Sequence, residues 1–317
     1  MTTRRQVLRW GRSAYETDEA LAMERDGIEA LGARWEFRPG PTPPQALAEA
    51  DVLVVNSGVR VERAVVEALR GTRILTTTSG YDHVDLEACR RRGVALARLP
   101  LARRDAVVEH TLACLVWLHR RLPELVGRAR AGRWARAELP ELAPRVVRDL
   151  PILVVGLGVI GARVAEVLGI LGAQVLGVDP AGVPAGVEEV ELDQGLARAR
   201  AITLHCSLTS SSRGLLSANR LATLHPGSVV VNTARGRVLD VNAAVEQLCS
   251  GRLRGLAVDV FPVEPYPGLA RSASHPALLF TPHGAGYSHD LGDRVAAQVC
   301  EAVGAWLGGA EPPFGVV

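Results

Sequence analysis

The stretch Ile152-Leu-Val-Val-Gly-Leu-Gly-Val-Ile-Gly161 decides how this chain folds. An apolar run of strand type ends at Gly156, and Gly156-x-Gly158-x-x-Gly161 then opens an amphipathic segment, Ala162 to Leu171. Strand, glycine turn and helix in that order bring backbone N–H groups up to a pyrophosphate at a helix N-terminus. Gly156, Gly158, Val159, Ile160 and Gly161 are the expected contacts. The next apolar run, Gln174-Val-Leu-Gly-Val-Asp179, ends on a carboxylate placed to hold a ribose diol. The pattern predicts a dinucleotide site. Asp179 would repel a 2′-phosphate, and Pro180-Ala-Gly-Val-Pro-Ala-Gly-Val187 offers no cation to receive one, so NAD is expected rather than NADP.

Composition narrows the rest. A chain of 317 residues, 48% hydrophobic and 22% charged, describes a globular protein large enough for two domains. It has no apolar run of bilayer-spanning length, and Val7-Leu8-Arg9-Trp10 after the first residues is too short for a signal-peptide core, so no membrane partner and a cytoplasmic location are expected. A net charge of +2 invites no nucleic acid. The one basic run, Arg90-Arg91-Arg92, ends a predicted helix, where cations complement the dipole. All 36 basic residues are Arg, which removes Schiff-base catalysis, a Walker lysine and a lysine general base together. The five cysteines form no C-x-x-C pair, so neither a disulfide framework nor a metal site is expected, and all read as small core residues.

Before the glycine turn, short strands and helices alternate. Strands are expected at Gln6–Trp10, Arg34–Phe37, Asp51–Asn56, Arg73–Thr77 and Val94–Ala97, and helices at Thr17–Leu31, Val61–Leu69 and Leu86–Arg92. This alternation predicts a parallel sheet wound by helices. A long helix, Ala106–Arg120, leads into the dinucleotide unit. Strands at Ala201–His205, Ser228–Asn232, Gly255–Val260 and Leu278–Thr281 follow Asp179, and Ser288–Leu307 is a helix with one apolar face that must pack on something earlier.

Three residues stand at strand ends in the second half, where an α/β sheet presents its ligand crevice. They are Arg235 in Val231-Asn-Thr-Ala-Arg-Gly236, Glu264 in Val258-Asp-Val-Phe-Pro-Val-Glu-Pro265 and His283 in Thr281-Pro-His-Gly-Ala-Gly286. The fork of an arginine can hold a carboxylate and polarise the adjacent carbonyl. An imidazole can protonate the oxygen as hydride reaches the carbon. A carboxylate on the other ring nitrogen orients that imidazole and favours its protonated form. Together the three suit hydride transfer to a 2-oxo acid.

With Gly80-Tyr-Asp-His-Val-Asp85 and Val107-Val-Glu-His-Thr111, these motifs run in order along nearly the whole chain. They resemble the D-isomer-specific 2-hydroxyacid dehydrogenase family. The resemblance implies two Rossmann-like, doubly wound parallel-sheet α/β domains. A discontinuous, flavodoxin-like substrate domain would comprise residues 1–98 completed by 286–317, with an NAD-binding domain at 99–285 between. It implies Arg235, Glu264 and His283 as the catalytic set, acting on a small 2-oxo or D-2-hydroxy acid. His205, Cys206, Thr209, Thr233 and Ala234 would line the cofactor, with Asp259 at the nicotinamide carboxamide. Ser79 and Gly80 would hold the substrate carboxylate beside Arg235 and His283. The family pairs as homodimers through its cofactor domains, which puts Trp117, Arg121 and Trp134 at an interface.

The chain departs from the family pattern in places. His-x-Pro-Leu-Thr becomes His205-Cys-Ser-Leu-Thr209, Asn-x-Pro becomes Arg98-Leu99-Pro100, and Asn56 stands where phosphoglycerate-type members carry Arg. Ser79 and Glu264 disfavour the phosphite- and formate-oxidising branches, which have Lys and Gln there. Asp82 and Asp85 read as turn and capping residues. His83, His110, His119, His225, His275 and His289 read as hydrogen-bonded or exposed. Two other readings stay open: a reductase dedicated to a phosphonate or secondary-metabolite oxo acid, and a non-catalytic NAD sensor resembling the C-terminal binding corepressors.

Overall fold

A computed structural model describes residues 4–71, 73–270 and 275–317. The chain forms two compact units, Met1–Arg103 with Tyr287–Val317, and Arg104–Gly286. Both are parallel-sheet α/β domains.

The first unit holds β1 (Gln6–Trp10), β2 (Arg34–Arg38), β3 (Val52–Val55), β4 (Arg73–Thr76) and β5 (Ala95–Arg98) in the order β2-β1-β3-β4-β5, all parallel. This is the flavodoxin-like order. Alternate residues of each strand face opposite layers. Leu53 and Val55 join one apolar cluster with Leu8, Val66 and Ile74, whereas Val52 and Val54 join another with Val7 and Leu75. The C-terminal helix, Leu291–Leu307, completes the second cluster through Leu291, Val295, Val299, Val303 and Trp306. The four-residue spacing puts these on one face.

Local chemistry sets the helix ends. Thr17 Oγ1 accepts from Ala20 N at 3.2 Å to start Asp18–Ala30, and Asp85 accepts from Ala88 N to start Leu86–Arg92. That second helix ends on Arg90–Arg92 and a left-handed Gly93. The β1–helix connection is tied down by a buried ion cluster. Arg9 bonds Glu16, Glu24 (3.0 Å) and the Gly11 carbonyl (3.1 Å). Burial pushes the Glu24 carboxyl up, and Arg9 and Trp35 oppose that.

The second unit holds β6 (Pro151–Val155), β7 (Gln174–Val178), β8 (Glu188–Glu189), β9 (Ala201–Leu204), β10 (Ser228–Asn232), β11 (Leu253–Val258) and β12 (Leu278–Phe280). Their order is β12-β11-β10-β9-β6-β7-β8, again all parallel. The order reverses between β6 and β9, and the crevice beyond their carboxyl ends is where such sheets bind ligands.

Several expectations shift. The long helix spans Leu101–His119 and begins five residues before the expected Ala106, directly after Pro100, a residue suited to a helix start. Leu99 and Ala102 belong to the first unit's core, so the division falls at Arg103/Arg104 rather than after 98. Helices at Leu192–Arg198, Ala218–Thr223 and Val241–Cys249 and the two-residue β8 had no assignment in the sequence; most are too short for a clear period. Not all cysteines are core residues. Cys89 and Cys114 are buried, but Cys249 is exposed because it closes its helix on the solvent side. Among the described residues no helix is long and apolar enough to cross a membrane, and no group of His, Cys, Asp and Glu could hold a metal ion.

Candidate active site

The glycine turn after β6 is built by close approach. Gly156 has φ +89°, and a Cβ there would lie 2.5 Å from Cys206 N. Only glycine lets the loop after β9 pass so near. A Cβ on Gly161 would lie 1.8 Å from the Gly156 carbonyl, which seats the Val159–Ile170 helix on the turn. A Cβ on Gly158, at the helix N-cap, would meet nothing within 4 Å outside its immediate chain neighbours. The open side of the turn therefore adjoins the first N–H groups of a helix, which have no intrahelical partner. The residues present fit a pyrophosphate.

Asp179 follows β7 and reaches back to the turn. Its Oδ2 accepts from Leu157 N at 2.6 Å and its Oδ1 from Ala181 N at 2.8 Å. The carboxylate thus stands at the glycine loop and braces it. Of the other expected cofactor residues, His205 uses its backbone N–H on Val155 and its Nε2 on Thr203 (2.8 Å), and burial brings its imidazole down to about 3. Burial pushes the Cys206 thiol up to about 11. Thr209 is exposed and closes a turn with Ser211 and Ser212. Thr233 pairs with Thr111 at 3.2 Å, and Ala234 N donates to Asn232 Oδ1 at 3.0 Å.

Arg235 follows β10, Glu264 follows β11 and His283 follows β12. His283 Nδ1 lies 2.7 Å from Glu264 Oε2. A carboxylate only accepts, so Nδ1 carries the proton and Nε2 is left without a partner among the described residues. Glu264 Oε1 is held by Phe261 N at 2.8 Å. Partial burial works to raise the Glu264 carboxyl, but the bonds from His283 and Phe261 and the charges of His283 and Arg235 bring it below its ordinary value.

The loops bearing these side chains are locked by residues that sequence reading did not single out. Asn232 is fully buried, and its Nδ2 donates to the Arg235 carbonyl at 3.1 Å. Gly236 packs so closely that a Cβ would lie 1.9 Å from Phe261 C, joining the Arg235 loop to the one that carries Glu264. The signal for both was their place inside a motif already quoted.

Asp259 is 2% exposed and accepts from the Thr281 hydroxyl (2.6 Å), Gly284 N (2.8 Å) and Ala285 N (3.0 Å). Its carbonyl accepts from His283 N at 2.8 Å. His283 has φ +56°, a left-handed conformation uncommon for a residue with a side chain. Asp259 holds it there, so most of its carboxylate capacity serves this loop. Ser79 and Gly80 lie in the other unit, directly after β4 and Thr77–Thr78.

The sequence model of the D-isomer specific 2-hydroxyacid dehydrogenase NAD binding domain matches residues 112–285. D-3-phosphoglycerate dehydrogenase of Mycobacterium tuberculosis is 33% identical over 302 residues, 91% of this chain and 56% of that protein. Erythronate-4-phosphate dehydrogenase of Pseudomonas aeruginosa is 37% identical over 275 residues, 84% of this chain and 66% of that one. The chain thus spans just over half the length of the phosphoglycerate relatives it matches. Aquifex aeolicus D-lactate dehydrogenase, solved with NAD and lactic acid, shares the fold at TM-score 0.80 and 24% identity, covering 96% of both chains. A solved Thermus thermophilus protein aligns at TM-score 0.78 and 31% identity, covering 98% of this chain and 100% of that one. The chain belongs to the D-isomer-specific 2-hydroxyacid dehydrogenase family, and its second unit is the NAD-binding domain.

Proposed function

We propose that this protein interconverts a small 2-oxo acid and its D-2-hydroxy acid at the expense of NADH or NAD. The observation that carries this reading is the His283 Nδ1–Glu264 Oε2 contact of 2.7 Å, which leaves Nε2 available to a ligand. NADH, when bound, supplies the hydride. The glycine turn with Val159 and Ile160 would hold its pyrophosphate, Asp179 its ribose, and the loops at His205–Thr209 and Thr233–Ala234 its remaining face. In reduction, His283 Nε2 gives its proton to the substrate oxygen, and the Glu264 carboxylate orients the ring through Nδ1. Arg235 holds the acid and polarises its carbonyl. Ser79 and Gly80 receive the substrate carboxylate.

Two relatives carry phosphorylated acids in their names. Here Asn56 is buried and its Oδ1 accepts from Gly58 N at 2.8 Å, so it brings no cation to a phosphate. It lines a pocket of about 340 Å³ with Trp10, Arg12, Val59 and Arg60 at the mouths of β1 and β3. The panel of acids should therefore run from glyoxylate and pyruvate to acids with a second anionic group, followed by NADH absorbance. Turnover of a 2-oxo acid is expected. Arg235→Gln should lower kcat/KM about a hundredfold, or ~3 kcal/mol, without weakening NADH binding. NADH binding with no turnover across the panel would favour the NAD-sensing reading instead.

We also propose a homodimer formed through the second unit. Trp134 is 89% exposed, and Trp117 and Val116 are each 36% exposed on one helix. Exposed tryptophans on this one domain support an interaction surface there.

A further inference from the structure

Among the described residues, the Thr77 and Ser79 hydroxyls on the loop after β4 are buried without a hydrogen-bond partner. Among the described residues, neither the Ser79 nor the Gly80 N–H has an acceptor. Buried hydroxyls are rarely left unbonded, because each gives up its water without compensation. Two of them beside two N–H groups without an acceptor make a cluster of donors of the kind that takes an anion.

The carbonyls of the same loop are all occupied. Ser79 O accepts from Arg98 Nη1 at 3.0 Å, and Thr77 O accepts from Arg103 Nη1. Thr78 O accepts from Leu99 N, and Gly80 O from the Thr78 hydroxyl at 2.7 Å. A planar trans peptide points each carbonyl opposite to the N–H of the next residue. Anchoring Ser79 O therefore turns Gly80 N–H the other way, and anchoring Thr78 O does the same for Ser79 N–H. Both guanidiniums are themselves fixed. Arg98 lies over the Tyr81 ring at 5.7 Å, and Arg103 lies over Tyr15 at 5.0 Å while bonding its hydroxyl.

We propose that Arg98 and Arg103 are positioning residues for the substrate acid: Arg98 holds the Ser79 carbonyl and so aims the Gly80 N–H, and Arg103 anchors the start of the loop at the Thr77 carbonyl, so that the unbonded donors of the loop form the carboxylate cradle. The idea rests on the function proposed above. Arginine suits the task because it is always charged and its fork spans a carbonyl and a second anchor at once. The chain has no lysine that could share the work.

The test compares the panel acid with the highest kcat/KM and its methyl ester in wild type, Arg98→Met, Arg103→Met and Arg98→Lys. Wild type should prefer the acid. Each Met variant should lose about tenfold in kcat/KM for the acid, through KM rather than kcat, as expected for a misdirected hydrogen bond to a charged group. The ester and NADH binding should change by less than about twofold, and Arg98→Lys should recover part of the loss. Met variants that keep the wild-type preference for the acid would overturn the positioning role while leaving the cradle assignment standing. If wild type treats acid and ester alike, the cradle assignment itself falls, and the proposal with it. Should a Met variant melt early, Arg98→Lys and Arg98→Gln repeat the comparison.

Discussion

His283 and Glu264 meet at 2.7 Å although they are carried on loops after different strands, and the loop of His283 is tied to buried Asp259. Against the raising effect of partial burial, the bonds from His283 and Phe261 and the charges of His283 and Arg235 hold the Glu264 carboxyl below its ordinary value.

The pH profile follows from that pair. Because the Glu264 carboxyl is held below its ordinary 4.5, it stays ionised at neutral pH, and its contribution is lost only as pH falls through the lowered value. Reduction should therefore remain efficient on the acid side to below 4.5 and fall only where Glu264 takes up a proton. Glu264→Gln should remove that acid limb, read from kcat/KM for reduction. An acid limb that persists unchanged in the variant would mean that Glu264 does not set it.

Cofactor choice should rest on Asp179. NADH should bind at least about tenfold more tightly than NADPH, a gap of ~1.4 kcal/mol or more. Asp179→Ala should narrow the gap but also weaken NADH, because the carboxylate braces Leu157 N in the glycine turn. Fluorescence titration of both nucleotides measures this. Equal affinities in wild type would remove Asp179 as the discriminating group.

The second unit should lose stability in mild acid. His119 is fully buried, and among the described residues neither ring nitrogen has a partner. Burial, reinforced by the charges of Arg254 and Arg145, brings it from 6.5 down to about 4. The unfolded chain binds its proton first as pH falls, so stability is whole above 6.5 and declines toward 4. For one such group the loss is about 3 kcal/mol. His119→Leu should be more stable at neutral pH by roughly 1 kcal/mol and show a shallower acid decline, with His205 retaining part of it. Urea midpoints between pH 7 and pH 4.5 provide the comparison, and parallel curves for the two proteins would contradict the assignment.

The C-terminal helix should be structural for the first unit. Removing all residues after Ala285 takes Leu291, Val295, Val299, Val303 and Trp306 from its core. That unit should then fail to melt cooperatively. Trp306→Ala, at a side chain 1% exposed, should cost about 3–5 kcal/mol. A truncated chain with two intact transitions in calorimetry would show that the helix is dispensable.

Much of this protein was legible from near neighbours in the sequence. The apolar period of Ile152–Val155, the glycine spacing through Gly161 and the caps at Thr17 and Asp85 are local, because backbone period and capping act within a turn or two of chain. Those signals were enough for the parallel sheets, the dinucleotide turn and every described strand but the two-residue β8. Arg235, Glu264 and His283 could be picked out because each lies on the loop that follows a strand.

What sequence could not supply is the partner of each polar group. Asp259 is expected at the nicotinamide carboxamide, and the fold adds bonds to its carboxylate from Gly284, Ala285 and Thr281 that spacing along the chain did not announce. The left-handed backbone of His283, the contact of Gly236 with Phe261 and the hold of Arg98 on the Ser79 carbonyl arise the same way. Hydrogen bonding is short-ranged and directional, so it is decided by atoms within about 3 Å in space. Spacing along the chain determined which residues stand at the strand ends, and only the folded packing decided which atoms they reach.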